Sequence, residues 1–272
     1  MPNAYDLEAI QRLLASWADC DWLTKALEKV VAGEVRSLNM QFSMVPHRIA
    51  DEALVIADDE RAAVADARTG WQPETWTRRD AARTLILMAT ATDPAVVYER
   101  AEQLFVTADV GEHVSLYRAL AVLPEGERYL ARAREGTRTN ITDVFNVIAH
   151  HNPYPADYFP DEAWNQLVLK NHFMGQPTAT MIGIDERCNP DLAVMLTDYA
   201  RERRAASRSV PKDLWRCVGK CATPDMRPDL ELTAASSDPV EAAAGRLALA
   251  DAGFADAPDE SWATLFPPTA GL

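Results

Sequence analysis

The residues best placed to do chemistry cluster between Ala108 and Gly219. Glu112 stands among Val114, Leu116 and Leu120, so an acid falls within an apolar helical pattern. Arg134, Glu135 and Arg138 share one helical face at spacings of three and four. Asp198 with Glu202 and Tyr199 with Arg203 repeat the four-residue spacing. Such pairs read either as solvated ion pairs or as a partly buried ionic network. The second reading makes Glu112 and Glu202 candidate acid/base carboxylates. It also makes Arg138, Lys170 and Arg203 candidate clamps for phosphate, diphosphate or carboxylate. Arg201, Arg204 and Arg208 form a basic stripe, either an anion site or a face paired with the chain's own acidic tail. Tyr117, Asn140, Asn152, Tyr154 and Asn165 complete the expected polar groove.

Metal and nucleophile chemistry find less support. Asp109 and His113 are one helical turn apart, and His150, His151 and His172 offer further ligands. No HExxH or paired Glu-x-x-His motif accompanies them, so neither metal nor other cofactor is expected. Cys217 and Cys221 lack a second pair or a His at zinc spacing. No G-x-S-x-G elbow or glycine-rich phosphate loop is present.

The elements that position these residues read as helices, with no hairpin signals or alternating strands. Asp6 can cap a helix carrying Ile10, Leu13, Leu14 and Trp17. Trp22 to Val30 repeats the spacing and stops at Gly33. Thr77 with Asp80 resembles a capping box. Asp93-Pro94, Asn189-Pro190 and Asp238-Pro239 each place an N-cap before a proline in the first turn. The Asn189 helix is expected to reach about Arg208, and the alanine-rich one to end near Gly253. Asn152-Pro153-Tyr154-Pro155 is a rigid corner, with Asn152 able to turn onto its own backbone. About ten to twelve helices on short loops predict an all-α array of helical hairpins, HEAT-like or α-solenoid in character.

The 272 residues carry a net charge of −14. Half of it lies after Ala222, with nine acids against Arg227 and Arg246. Arg201 to Lys220 is +5. So acidic a chain argues against general nucleic-acid binding. No secretory lead and no apolar run of spanning length are visible, so a cytoplasmic protein with reduced thiols is expected. Residues 1–222 read as one helical body and 223–237, rich in Pro, Asp, Ser and Thr, as a linker. Residues 238–254 read as a helix packing back near the Arg201–Lys220 bases, and 255–272 as a flexible tail whose last residues fray.

The runs RTNITDVFNVIAHHNPYPADYF and AWNQLVLKNHF, within Arg138 to Phe173, resemble the EboA-domain family of bacteria. ADVGE at Ala108–Glu112, LYRAL at Leu116–Leu120, NPDLAVMLTDYA at Asn189–Ala200, RERRAASRSVPKDLWRCVG at Arg201–Gly219 and the segment from Asp238 are similar to it too. The chain departs from the pattern at His113, Arg201 and Arg204. The resemblance implies an accessory protein usually encoded beside a UbiA-type prenyltransferase, a TatD-like hydrolase, a sugar-isomerase-like barrel and a dehydroquinate-synthase-like enzyme. Such clusters make or export specialised-metabolite precursors. The resemblance assigns no activity and no catalytic residue. Three readings stand: a binder of an anionic metabolite or partner enzyme, an enzyme acting on a phosphorylated or prenylated small molecule, and a scaffold for pathway enzymes.

Overall fold

The structure, a computed structural model, describes residues 5–32 and 35–268. Gly33, expected to stop the second helix, and the last four residues lie outside that range. The described residues form sixteen α-helices and no sheet, so the protein is all-α. Two isolated bridges, Tyr5 with Arg68 and Ala53 with Thr77, are the extended pairings among them. Three of the helices have five residues or fewer. Those are too short to show a period in sequence, which is why the expected number is smaller.

The chain divides into two compact units, one through Tyr158 and one from Phe159 onward. This differs from a single body over 1–222. The division falls at an extended Phe159-Pro160 step, just after the Asn-Pro-Tyr-Pro corner.

The first unit holds α1 (Leu7–Trp17), α2 (Asp21–Val31), α3 (Val35–Met44), α4 (Asp58–Ala67), α5 (Arg78–Met88), α6 (Pro94–Thr107), α7 (Val110–Ala119), α8 (Leu130–Arg138), α9 (Thr142–Ala149) and α10 (Tyr154–Tyr158). Its axis is α5, which packs on α1, α2, α3, α6 and α7. Every residue from Asp80 to Met88 is buried. A helix covered on all sides can carry polar groups only if they find partners.

The second unit holds α11 (Asp161–Phe173), α12 (Pro190–Ala205), α13 (Trp215–Gly219), α14 (Arg227–Ala234), α15 (Pro239–Asp251) and α16 (Trp262–Leu265). Here α15 lies on α13, α14 and α16, and α12 on α11 and α13. Two glycines permit the closest approaches. A Cβ on Gly245 would stand 2.3 Å from the Ala234 nitrogen, and one on Gly219 would stand 2.8 Å from Ala248 Cα.

The caps anticipated from sequence form. Asp6 accepts from the Ala9 amide at 3.0 Å, and Thr77 with Asp80 closes a capping box. Asp93, Asn189 and Asp238 each cap a helix with proline in its first turn. The Asn189 helix ends at Ala205, short of Arg208, with Ser207 following in the left-handed region at φ 53°.

Residues 223–237 do not behave as a linker. A 3-10 turn over Pro224–Met226 runs into α14. Met226, Leu230 and Thr233 recur at spacings of four and three and are all buried. The prolines at 224 and 228 fall in first turns, where a missing amide costs nothing. Composition suggested a linker because acids and prolines occupy the other faces. Residues 255–268 include α16, whose Trp262 is buried and donates its indole N–H to Asp251 Oδ2 at 2.7 Å.

Candidate functional site

Of the residues expected to share one groove, Glu112, Tyr117, Arg138, Asn140, Asn152 and Tyr154 belong to the first unit. Asn165, Lys170, Glu202 and Arg203 belong to the second.

In the first unit, most of these side chains are held by the fold itself. Glu112 Oε1 accepts from Ser43 Oγ at 2.6 Å, and Oε2 accepts from the Asp109 amide at 3.0 Å. Asp109 Oδ1 accepts from the Glu112 amide at 2.7 Å, closing the capping box of α7. The candidate acid is thus a helix cap. Asn152 Nδ2 donates to the carbonyls of Tyr117 and Val147, and its Oδ1 accepts from the Tyr154 amide at 3.0 Å. That is the local turn expected of Asn152, extended to two helix carbonyls. Tyr154 is fully buried and donates to the Gly126 carbonyl at 2.7 Å. Tyr117 is buried against Phe105, and burial pushes its phenol up to about 12. Arg138 and Asn140 are exposed.

The polar cluster of this unit lies on residues the sequence did not single out as a site. Asp80 Oδ2 accepts from the Thr77 amide at 2.9 Å and from Arg118 Nη1 at 2.5 Å. Its Oδ1 accepts from Ser115 Oγ at 2.7 Å. Arg83 Nη1 donates to the Gly111 carbonyl at 2.9 Å and to Ser115 Oγ at 3.1 Å. The Arg83 guanidinium lies over Phe42, 5.3 Å from the ring centre. Burial lowers the Arg83 pKa, while Glu112, Asp109 and Asp80 oppose that. Asp80, Arg83, Ser115 and Arg118 line a 680 Å³ cleft, but each charge is committed to its neighbours. Its chemistry is that of a buried clamp between α5 and α7. The sequence signal was Asp80 with Arg83 and Ser115 with Arg118, each three apart, which exposed helix faces also show.

The residues considered as a metal alternative are dispersed. Asp109 caps α7, His113 Nε2 meets the Phe105 carbonyl, and His151 Nδ1 meets Gln72 Oε1. His150 is buried at the end of α9 and His172 lies in the second unit. Among the described residues, no three His, Cys, Asp or Glu side chains are arranged to hold a metal ion.

In the second unit Lys170, Glu202 and Arg203 line one pocket, which Asn165 does not. Gln166, Leu169, Lys170 and Phe173 present one face of α11. Tyr199, Glu202 and Arg203 present one face of α12, and Arg208 follows its end. Together they line a 500 Å³ pocket with three cations and one carboxylate. Arg203 is braced by its Nη1 on Tyr199 Oη at 3.2 Å, by its Nε on the Ser209 carbonyl and by cation–π contact with Tyr199. The chain reversal at Ser207 brings Arg208 back, its amide donating to the Arg203 carbonyl at 2.8 Å. Burial lowers the Lys170 pKa. Glu202 is exposed at this pocket.

The pocket's two helices are tied by a reciprocal amide pair. Asn165 Nδ2 donates to Asn189 Oδ1 at 3.1 Å, and Asn189 Nδ2 donates to Asn165 Oδ1 at 2.8 Å. Asn189 Oδ1 also caps α12 through the Leu192 amide. Asn165 therefore serves a partner 24 positions along the chain. The basic stripe splits. Arg201 and Arg204 pair with Asp229, and Lys212 with Asp238, so part of the acidic C-terminal segment neutralises these bases. Arg208 alone of the stripe joins the pocket.

A second cavity of 410 Å³ shares Phe173 and Arg203 with the first and is also lined by His172 and Asp213. The Asp213 carboxylate accepts from the Thr178 amide and hydroxyl, and its Oδ1 lies 3.8 Å from His172 Nδ1. His172 is fully buried with no hydrogen bond at either ring nitrogen. Burial depresses its pKa, against the pull of Asp213. A His of depressed pKa binds fewer protons in the native state than in the unfolded one. Its linkage therefore costs nothing above pH ~6.5 and removes stability as pH falls below it, by up to about 1.4 kcal/mol per unit. Urea unfolding between pH 7.5 and 5 should show His172→Gln losing less stability on acidification than wild type. Equal pH slopes would contradict this.

No described helix is long and apolar enough to cross a membrane. No curated protein and no solved structure matches the chain. A family model described as metabolite traffic protein EboA matches residues 8–219, which include α11, α12 and the pocket between them. The chain therefore belongs to the EboA family of metabolite traffic proteins.

Proposed function

We propose that the protein binds an anionic metabolite in the α11–α12 pocket, as an accessory factor in bacterial specialised-metabolite biosynthesis or export. The observation that carries this is the pocket's charge: Lys170, Arg203 and Arg208 against Glu202, around 500 Å³. Neither Arg203 nor Arg208 pairs with the acidic C-terminal segment through the contacts that hold Arg201 and Arg204. Arg suits phosphate and carboxylate through its planar array of donors. Leu169, Tyr199 and the 74% exposed Phe173 supply apolar surface for the rest of the molecule. A ligand with an anionic end and a ring or aliphatic body fits both features. A role in metabolite handling suits the family.

Titration calorimetry with inorganic diphosphate, a cyclitol phosphate and an aryl phosphate tests the reading. Binding is expected, strongest for the aryl phosphate. Arg203→Met removes a charge-assisted contact of about 1.5–3 kcal/mol, so affinity should fall roughly 10- to 100-fold with no change in fold. Absence of heat for all three anions at millimolar concentration, or undiminished binding by Arg203→Met, overturns it. Turnover of the bound anion, abolished by Glu202→Gln, would instead make the protein an enzyme.

A further inference from the structure

The loop before α12 and the short helix α13 bring two thiols together. Cys188 Sγ lies 3.1 Å from the Ile184 carbonyl oxygen, and Cys217 Sγ lies 3.8 Å from the same atom. Both sulfurs thus sit within hydrogen-bonding reach of one carbonyl oxygen. They are 29 positions apart in the chain, so tertiary structure alone makes them neighbours. Cys188 is partly exposed and Cys217 is buried. Beside them Asp185 is ion-paired with Arg216 and with Lys220, whose Nζ is 2.9 Å from Asp185 Oδ1. Neither thiol contributes to the anion pocket.

We propose that Cys188 and Cys217 form a reversible dithiol–disulfide pair, with Cys188 the peroxide-reactive thiol and Cys217 the resolving one. The burial of the two residues sets the roles, because Cys188 is partly exposed whereas Cys217 is buried. Electrostatics agree. The neighbouring Cys217 thiol holds the Cys188 thiol below its ordinary range, against burial, with Lys220 and Arg216 favouring the thiolate and Asp185 opposing it. The Cys217 thiol is raised well above its ordinary range by the neighbouring Cys188 and by burial. A thiolate under cationic influence is the nucleophile in such chemistry.

The steps balance with hydrogen peroxide as oxidant. The Cys188 thiolate attacks one peroxide oxygen. An S–O bond forms, the O–O bond breaks, and the departing hydroxide takes the proton released by Cys188 and leaves as water. Cys217 then gives up its proton and its sulfur attacks Cys188 Sγ. The S–S bond forms, the S–O bond breaks, and the second hydroxide leaves with that proton as water. Two thiols lose two electrons in all, and one peroxide becomes two waters.

The disulfide would fasten the residue before the α12 cap to α13. Cys188 adjoins Asn189, whose amide pair with Asn165 ties α11 to α12. Oxidation would therefore stiffen the α12 start without touching a pocket residue.

The test treats the full-length protein with stoichiometric hydrogen peroxide, blocks free thiols with N-ethylmaleimide and maps tryptic peptides without reductant. Cleavage after Arg187, Arg216 and Lys220 puts Cys188, Cys217 and Cys221 on three separate peptides. The expected product is the Cys188 peptide joined to the Cys217 peptide, released by dithiothreitol, with Cys20 and Cys221 alkylated. Cys217→Ala should stop at a dimedone-reactive sulfenic acid on Cys188. Cys188→Ser should leave Cys217 fully alkylated after denaturation. Should Cys217→Ala not fold, the wild-type map still decides. A Cys188–Cys221 link, an intermolecular disulfide, or oxidation of Cys20 as fast as Cys188 overturns the proposal.

Discussion

Asp80→Ala should lower the unfolding free energy by about 3–5 kcal/mol. Asp80 is 3% exposed and its two oxygens accept from Thr77, Ser115 and Arg118. Removing it breaks the α5 capping box and leaves Arg118 without its carboxylate. Arg83, 4% exposed, also loses a part of its compensating field, of which Glu112 and Asp109 supply more. The cost is dominated by the stranded cations, Arg83 buried and Arg118 half-buried, not by the lost attraction itself. That distinction has its own measurement. If Arg118→Leu is made as well, the second change should cost far less than it does alone, because the stranded charge is then gone. Additive losses in urea denaturation would show that Asp80 and Arg118 act independently. A drop under about 1 kcal/mol for Asp80→Ala would mean that water reaches the cluster and solvates it.

Gly245→Ala should destabilise the second unit, although alanine is the better helix former by about 1 kcal/mol. The new Cβ would meet the Ala234 nitrogen at 2.3 Å and the Ala234 Cα and Thr233 carbonyl carbon at 2.7 Å. All three are backbone atoms, so no side chain can swing aside. Relief requires α14 and α15 to separate, which opens the contact around buried Leu230, Ala244 and Ala248. Overpacking of this kind costs about 1–3 kcal/mol net, with Gly245→Val costing more. The sign is the informative result. Exposed helical glycines gain stability on becoming alanine, so a raised melting temperature for Gly245→Ala would show that α14 does not pack on α15 this closely.

Much of the fold could be read from local signals. Asp6, Thr77, Asp93, Asn189 and Asp238 announce helix starts because capping is satisfied within three residues of the cap. Gly253, at φ 70°, follows the end of α15 for a similarly local reason. The short helices α10, α13 and α16 escaped because a helix of one turn shows no period. The helix α14 escaped because prolines and acids on its outer faces dominate the composition, while Met226, Leu230 and Thr233 form only a narrow stripe.

The candidate site divides in the same way. Lys170 and Arg203 were recognisable as cations on helical faces, and the motif around them placed the chain in its family. Whether a charged residue faces a ligand, a partner or solvent depends on what another helix places opposite it. Arg201, Arg203, Arg204 and Arg208 look alike in sequence. Arg201 and Arg204 meet Asp229, whereas Arg203 and Arg208 meet a pocket, because Asp229 of α14 reaches one face of α12 and α11 packs on another. Glu112 and Asp80 look like ordinary first-turn acids, yet tertiary packing adds a bond from Ser43 to one and makes the other the hub of a buried cluster. Helix positions, caps and family follow from the order of residues along the chain, since those interactions span only a few positions. Which charges pair, which thiols touch and where a pocket opens follow from contacts between residues tens of positions apart, and those exist only once the helices pack.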